Sequence, residues 1–211
     1  MPGITRKVYI WLITIILWFK MANEKIEILK LLINNREESF SIRRISLLRK
    51  INYKSAYLSL KALEKDGLVD LERIGNTLVC KFNDNFNDLV FKAEYQRKKD
   101  LFKKKDFLII HDRLAELKFP FILLIFGSYV KGTANKHSDI DLLLIANEES
   151  FKEVENQVGL IPLNIHLTPV TYESFIRMAR SKEFSVISEA LKKNIILIGI
   201  EEYYRLLKNA K

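Results

Sequence analysis

Apolar positions recur along this chain with two periods, and each switch of period marks an element. Ile26, Leu29, Leu32 and Ile33 fall on one face of a helix that stops at Asn34-Asn35. Ser39-Phe40-Ser41 leads into a second helix, about Ile42–Arg49, with Ile45 and Leu48 inward. A third helix, about Tyr53–Asp66, has Ala56, Leu60 and Leu63 on its inner face, Asn52 as N-cap and Gly67 as its end. The period then drops to two: Leu68–Ile74 and Thr77–Phe82 read as strands joined by a turn at Gly75-Asn76. From residue 84 to 118 it returns to helical, with Val90, Ala93, Leu101, Phe107, Ile110 and Leu114 in one long helix that bends near Asp106. A domain boundary is expected at Asn83–Asn87, where Asn and Asp cluster.

The remainder alternates short strands with helices. Phe121–Phe126 and Ile140–Ile145 are brief aliphatic runs bounded by turn residues. A helix over Glu148–Val158, a turn at Gly159–Pro162 and a third strand, Leu163–Leu167, follow. Thr171 is the expected N-cap of a helix over Tyr172–Arg180, with Glu173 as its capping-box carboxylate. A helix over Phe184–Lys192, a strand over Ile195–Ile198 and a helix over Glu201–Leu207 close the chain. The start is different. Val8–Phe19 is a run of 12 apolar residues between Arg6-Lys7 and Lys20, well short of the ~20 that span a bilayer. It reads as an extension ahead of a domain beginning at Met21, in preference to a membrane-surface anchor, and residues 1–20 carry no weight in the fold reading.

Composition narrows the class. Of 211 residues, 48% are apolar and 29% charged, the balance of a globular protein. The net charge is +9, which favours a polyanionic partner. That excess is uneven: residues 1–83 carry 15 Lys+Arg against 8 Asp+Glu, residues 84–118 carry 9 against 7, and residues 119–211 carry 11 against 11. The positive charge therefore belongs to the front of the chain. Cys80 is the single cysteine, so no internal disulfide or cysteine zinc site can form, in keeping with a cytoplasmic setting.

The chemistry concentrates between the two aliphatic strands. Asp139 and Asp141 open the second strand two residues apart, so both carboxylates share a face. Two hard oxygen ligands side by side suit magnesium, whose shell phosphate oxygens and water complete. Gly127 lets the backbone approach a bound group, and the amides after Gly127-Ser128 can hold an anion. Gly127, Ser128, Gly132, Ser138, Asp139 and Asp141, followed by Leu142-Leu143-Leu144, resemble the minimal nucleotidyltransferases of the DNA polymerase beta superfamily. The resemblance implies a nucleoside triphosphate site, with ATP the expected nucleotide. It also implies Mg2+ on Asp139 and Asp141, Gly127, Ser128 and Ser138 at the nucleotide, and Lys131 or Lys136 neutralising charge. Members of this family often pair with a small all-helical protein of a toxin–antitoxin system. The strand Leu163–Leu167 departs from the family pattern. Where the family places a third carboxylate, the same-face residues are Asn164 and His166. His166 is either a structural residue or a base and metal ligand.

The front resembles a winged helix-turn-helix: three helices, a hairpin, and the string Ala62-Leu63-Glu64-Lys65-Asp66-Gly67-Leu68-Val69 at the junction of recognition helix and wing. This implies a third helix in the DNA major groove, with Tyr53, Lys54, Ser55, Tyr57 and Lys61 near its leading or outer face, Tyr57 being equally suited to the core. Arg43 and Arg44 add charge beside it and Arg73 sits at the wing tip. The competing use of such a domain is dimer or partner contact.

The whole reads as an α+β protein. Residues 1–20 are an extension, 21–83 a winged helix, 84–105 a connecting helix, and 106–211 a small nucleotidyltransferase-type α/β domain with a short mixed sheet. The expected activity is magnesium-dependent transfer of a nucleoside monophosphate to a hydroxyl, coupled to DNA binding. The alternative is a DNA-binding regulator whose nucleotidyltransferase-like domain is an inactive nucleotide sensor or interaction module. A homodimer is expected by analogy with winged-helix regulators, and membrane association is not.

Overall fold

The computed structural model describes residues 6–181 and 185–210. The chain divides into two units. One takes the chain to Ile33 and again from Glu38 to Asn83; the other takes Asn34–Glu37 and everything from Asp84 onward.

The first unit opens with α1 (Arg6–Asn34), a single helix of 29 residues. The sequence pattern had set residues 1–20 apart, yet the helix runs on from Arg6 because neither Gly nor Pro interrupts it before Asn34. Among the described residues, no helix is long and apolar enough to cross a membrane. A two-residue strand, β1 (Phe40–Ser41), precedes α2 (Ile42–Arg49), whose first turn is capped by the Ser41 hydroxyl accepting from Arg44 N. Asn52 caps α3 (Tyr53–Lys65), its Oδ1 accepting from Ser55 N at 2.7 Å. The α3 helix ends in a Schellman arrangement: Gly67 takes φ 70°, and the Leu68 amide donates to the Leu63 carbonyl at 2.9 Å. The hairpin β2 (Val69–Ile74) and β3 (Thr77–Phe82) follows, and β1 adds to β3, giving an antiparallel sheet in the order β1-β3-β2. Leu29, Leu32, Ile42, Ile45, Leu60, Leu63, Cys80 and Phe82 are buried.

In the second unit the expected long helix is two: α4 (Asp88–Leu101) and α5 (Lys105–Ala115). Next come β4 (Ile122–Ile125), the short α6 (Ser128–Lys131), β5 (Ile140–Ile145), a 3-10 turn at Glu148–Ser150 and α7 (Phe151–Gly159). The chain finishes with β6 (Ile165–Val170), α8 (Tyr172–Ser181), α9 (Val186–Lys192), β7 (Ile195–Ile198) and α10 (Ile200–Ala210). The reading of a helix from Phe184 begins outside the described residues. The sheet runs β6-β5-β4-β7, with β4 antiparallel to both neighbours and β5 parallel to β6. It is the expected mixed sheet, and the protein is α+β. Every side chain from Ile122 to Ile125 and from Leu142 to Ile145 is fully buried. Helices cover both faces, which is why these strands read as unbroken aliphatic runs. Leu123, Ile125, Leu142 and Leu144 pack with Phe107, Ile110, Leu114, Val154 and Val158 of α5 and α7. The β6 strand lies further along than expected and includes Pro169. As an edge strand it tolerates a residue with no amide proton.

Candidate functional site

The site is built at one end of the second unit's sheet, where β4 ends and β5 begins. The β4–β5 pairing extends one step past Ile125: the Phe126 amide donates to the Asp141 carbonyl at 3.1 Å. That bond places Gly127 against the Asp141 side chain. Gly127 has φ 71° and ψ −148°, and a Cβ there would lie 2.1 Å from Asp141 Oδ2 and 2.9 Å from its Cγ. The carboxylate thus occupies the space that any side chain at position 127 would need. Ser128 then starts α6, and Gly132 at φ 80° closes it, its amide donating to the Ser128 carbonyl at 3.0 Å.

The loop to β5 is braced by its own polar groups. The Ser138 hydroxyl accepts from the Asn135 amide at 2.9 Å, and the Tyr129 hydroxyl donates to the Ser138 carbonyl at 3.3 Å. Ser138 therefore shapes the turn that delivers Asp139. Lys136 is exposed in that loop. The Lys131 ammonium forms an ion pair with Glu189 of α9, a partner the sequence did not suggest because it comes from a distant helix.

Asp139 is exposed and Asp141 half-buried. The parallel register of β5 and β6 gives each a neighbour. The Ile140 amide donates to the Asn164 carbonyl at 2.9 Å, and the Asn164 side-chain amide donates to Asp139 Oδ1. Asp141 pairs in register with His166, whose Nδ1 lies 3.6 Å from Asp141 Oδ1. So the residues standing where a third acid was sought are an amide that holds one carboxylate and an exposed imidazole beside the other. Among the described residues, no three of His, Cys, Asp and Glu gather as a metal cage. Asp139 and Asp141 are two hard oxygen donors two residues apart, the donor type that a cation completed by phosphate and water takes. Glu173 stands at the second position of α8, while the third is Ser174, whose amide donates to the Thr171 hydroxyl at 3.1 Å. The expected cap is Thr171, but the capping-box place belongs to Ser174 and not to Glu173.

The cationic residues of the first unit are mostly on its surface. Arg43, Lys54 and Arg73 are exposed. Arg44 is exposed but tied to Glu38 at 3.2 Å and set over the Phe40 ring. Lys61 pairs with Glu64 at 2.8 Å, and Tyr53 is 56% exposed. Ser55 differs from expectation: its hydroxyl donates to Glu24, so it fastens α3 to α1 and does not face outward.

Residues 112–198 match the model of a family described as nucleotidyltransferase domain. That stretch contains Gly127, Ser128, Asp139, Asp141, Asn164 and His166, and it runs from the end of α5 through β7. No curated protein matches the chain. Among solved structures, a chain of "Crystal structure of the toxin-antitoxin with AMP-PNP" is similar at 17% identity, over 50% of this chain and 83% of that one, with a TM-score of 0.34.

Proposed function

We propose, from the nucleotidyltransferase match of residues 112–198, that this protein transfers a nucleoside monophosphate from a nucleoside triphosphate to a hydroxyl acceptor. The observation that carries the reading is the fit of Asp141 into the gap left by Gly127, which sets a carboxylate directly beside a glycine turn. In this reading Asp139 and Asp141 hold one magnesium ion, with Asn164 fixing the rotamer of Asp139. Magnesium, when bound, neutralises phosphate charge and aligns the triphosphate. Gly127 and Ser128 admit the phosphates close to the backbone. Lys136 is free to approach them, whereas Lys131 must first leave Glu189. The acceptor oxygen forms a bond to the α-phosphorus, the bond to the bridging oxygen breaks, and pyrophosphate leaves. In this reading His166, exposed and next to Asp141, takes the acceptor's proton. Positioning and charge stabilisation supply most of the rate. A small helical protein is the partner expected of such a domain, and a candidate acceptor.

The first unit, in this proposal, is a winged helix that binds duplex DNA with α3 as its recognition helix and Arg43, Arg44, Lys54, Lys61 and Arg73 near phosphates. The cell compartment consistent with the buried free thiol of Cys80 is the cytoplasm.

Label transfer from α-labelled nucleoside triphosphates with magnesium tests the activity, for the natural chain and for Asp139→Ala/Asp141→Ala. Label on a protein or nucleic acid that vanishes in the double variant is the expected result. Label that persists in the variant would overturn the role of the two acids. A second reading rests on Asn164: an amide donor beside Asp139, where an acid would serve a second metal, suits a domain that binds nucleotide without turning it over. Magnesium-dependent nucleotide binding with no transfer to any acceptor decides for that sensor.

A further inference from the structure

We infer that the first unit reads thymine methyl groups, with Tyr57 and Leu58 of α3 as its base-reading surface, and so prefers thymine-rich duplex DNA. The inference rests on the DNA-binding reading above. On α3 the positions Ala56, Ser59, Leu60 and Leu63 are buried, which leaves Lys54, Tyr57, Leu58 and Lys61 as the outward stripe at helical spacing. The middle of that stripe is apolar, with Leu58 45% exposed. Tyr53 stands exposed in the first turn, and α2, which packs on α3, exposes Leu47 and also Leu48, which the sequence pattern had turned inward. A single exposed apolar side chain is ordinary; five on two packed helices are not.

Charge says what covers them. Arg43, Lys50, Lys54 and Arg73 are exposed and form no ion pair among the described residues, and the first 83 residues hold 15 basic against 8 acidic side chains. A polyanion answers these cations better than an apolar protein face does. The chemistry of the stripe then limits what can be read. The α3 helix contains no Arg, Asn or Gln, so of the side chains that pair with guanine or adenine in the major groove it offers only lysine; Lys54 stands in its first turn, ahead of Tyr57 and Leu58. Lys61 is held by Glu64. What remains at the centre is hydrocarbon and a phenol. The apolar group that bases present in the major groove is the C5-methyl of thymine.

The test uses the full chain and a random-sequence duplex pool, followed by replacement of thymine with deoxyuridine in the selected site. That replacement deletes the methyl group and leaves the hydrogen-bonding edges intact. The expected result is thymine enrichment and binding about fourfold weaker for each contacted methyl removed, with an unchanged salt slope. Leu58→Ala, a surface change that leaves the core alone, should shrink the thymine-to-uracil difference and keep the salt slope. Equal affinity for thymine and uracil duplexes, with salt-dependent binding intact, overturns this inference and leaves the DNA-binding reading standing. No salt-dependent binding to any duplex, or self-association that is lost in Leu58→Ala, overturns both.

Discussion

The Gly127–Asp141 contact shows how one residue's identity can depend on another far along the chain. A methyl group at 127 would meet Asp141 Oδ2 at 2.1 Å, and the backbone holds φ 71°, which alanine adopts at a cost. Gly127→Ala is expected to displace the Asp141 carboxylate and to destabilise the second unit by about 1–3 kcal/mol. On the proposed reading it also abolishes magnesium-dependent nucleotide binding. Calorimetric titration with magnesium and a non-hydrolysable nucleotide checks both effects when paired with a thermal melt. Unchanged affinity would remove Gly127 from the site. The need for a glycine was legible in the pattern before the structure; its cause was not, because the opposing carboxylate arrives through strand pairing. The same holds for Asn164. Its type and face could be read from the sequence, but its bond to Asp139 depends on the parallel register of β6.

At the scale of elements, local signals located most helices and strands. Asn52 and Gly67 bracket α3 as a cap and a left-handed terminator should, and Asn52 Oδ1 does accept from the Ser55 amide. Asn52→Ala leaves that donor without its partner and is expected to cost about 1 kcal/mol, read as a lower midpoint in urea with an unchanged slope. A midpoint equal to that of the natural chain would mean that water replaces the cap without loss. Elements that depend on partners were less legible. The two residues of β1 have no period and exist because Phe40 and Ser41 pair with Cys80 and Val79. The break between α4 and α5 falls in Phe102–Lys104, a segment without Gly or Pro. Proline at 169 hid the end of β6, since a sequence does not announce which strand will be the edge.

At the scale of the molecule, the second unit contains a buried ionic cluster that no motif signalled. Glu94 is fully buried and accepts from the Tyr204 hydroxyl at 2.7 Å and from Arg36 at 3.2 Å, while its other oxygen pairs with Arg97. Arg97 also donates to Asn34 Oδ1 at 2.8 Å, and Arg36 pairs with Asp84 at 2.5 Å. Burial opposes the charge on Arg36, but Tyr204, Tyr203, Glu94 and Asp84 around it more than offset that, and its pKa stands above the ordinary value. Residues 34–37, α4 and α10 are tied together through these groups. Glu94→Gln keeps the shape and removes the charge shared by two buried guanidinium groups. The expected loss is about 3–5 kcal/mol, measured by denaturant unfolding. A loss under about 1 kcal/mol, the scale of an exposed pair, would show that the cluster is not what holds these segments.

What the sequence alone determined is whatever local chemistry dictates. Apolar period, cap residues and turn glycines placed most elements, and the spacing of Asp139 and Asp141 marked two carboxylates at the start of one strand, of which β5 takes in Asp141 and begins just after Asp139. The tertiary structure decided what requires residues far apart in the chain to meet. It set Asp141 against Gly127, the Asn164 amide on Asp139, Glu189 on Lys131 and Glu94 between two arginines. These are pairings across strands and between helices, and their register is set by the packing of whole apolar faces. A window of neighbouring residues holds the propensity for an element but not the partner it will find.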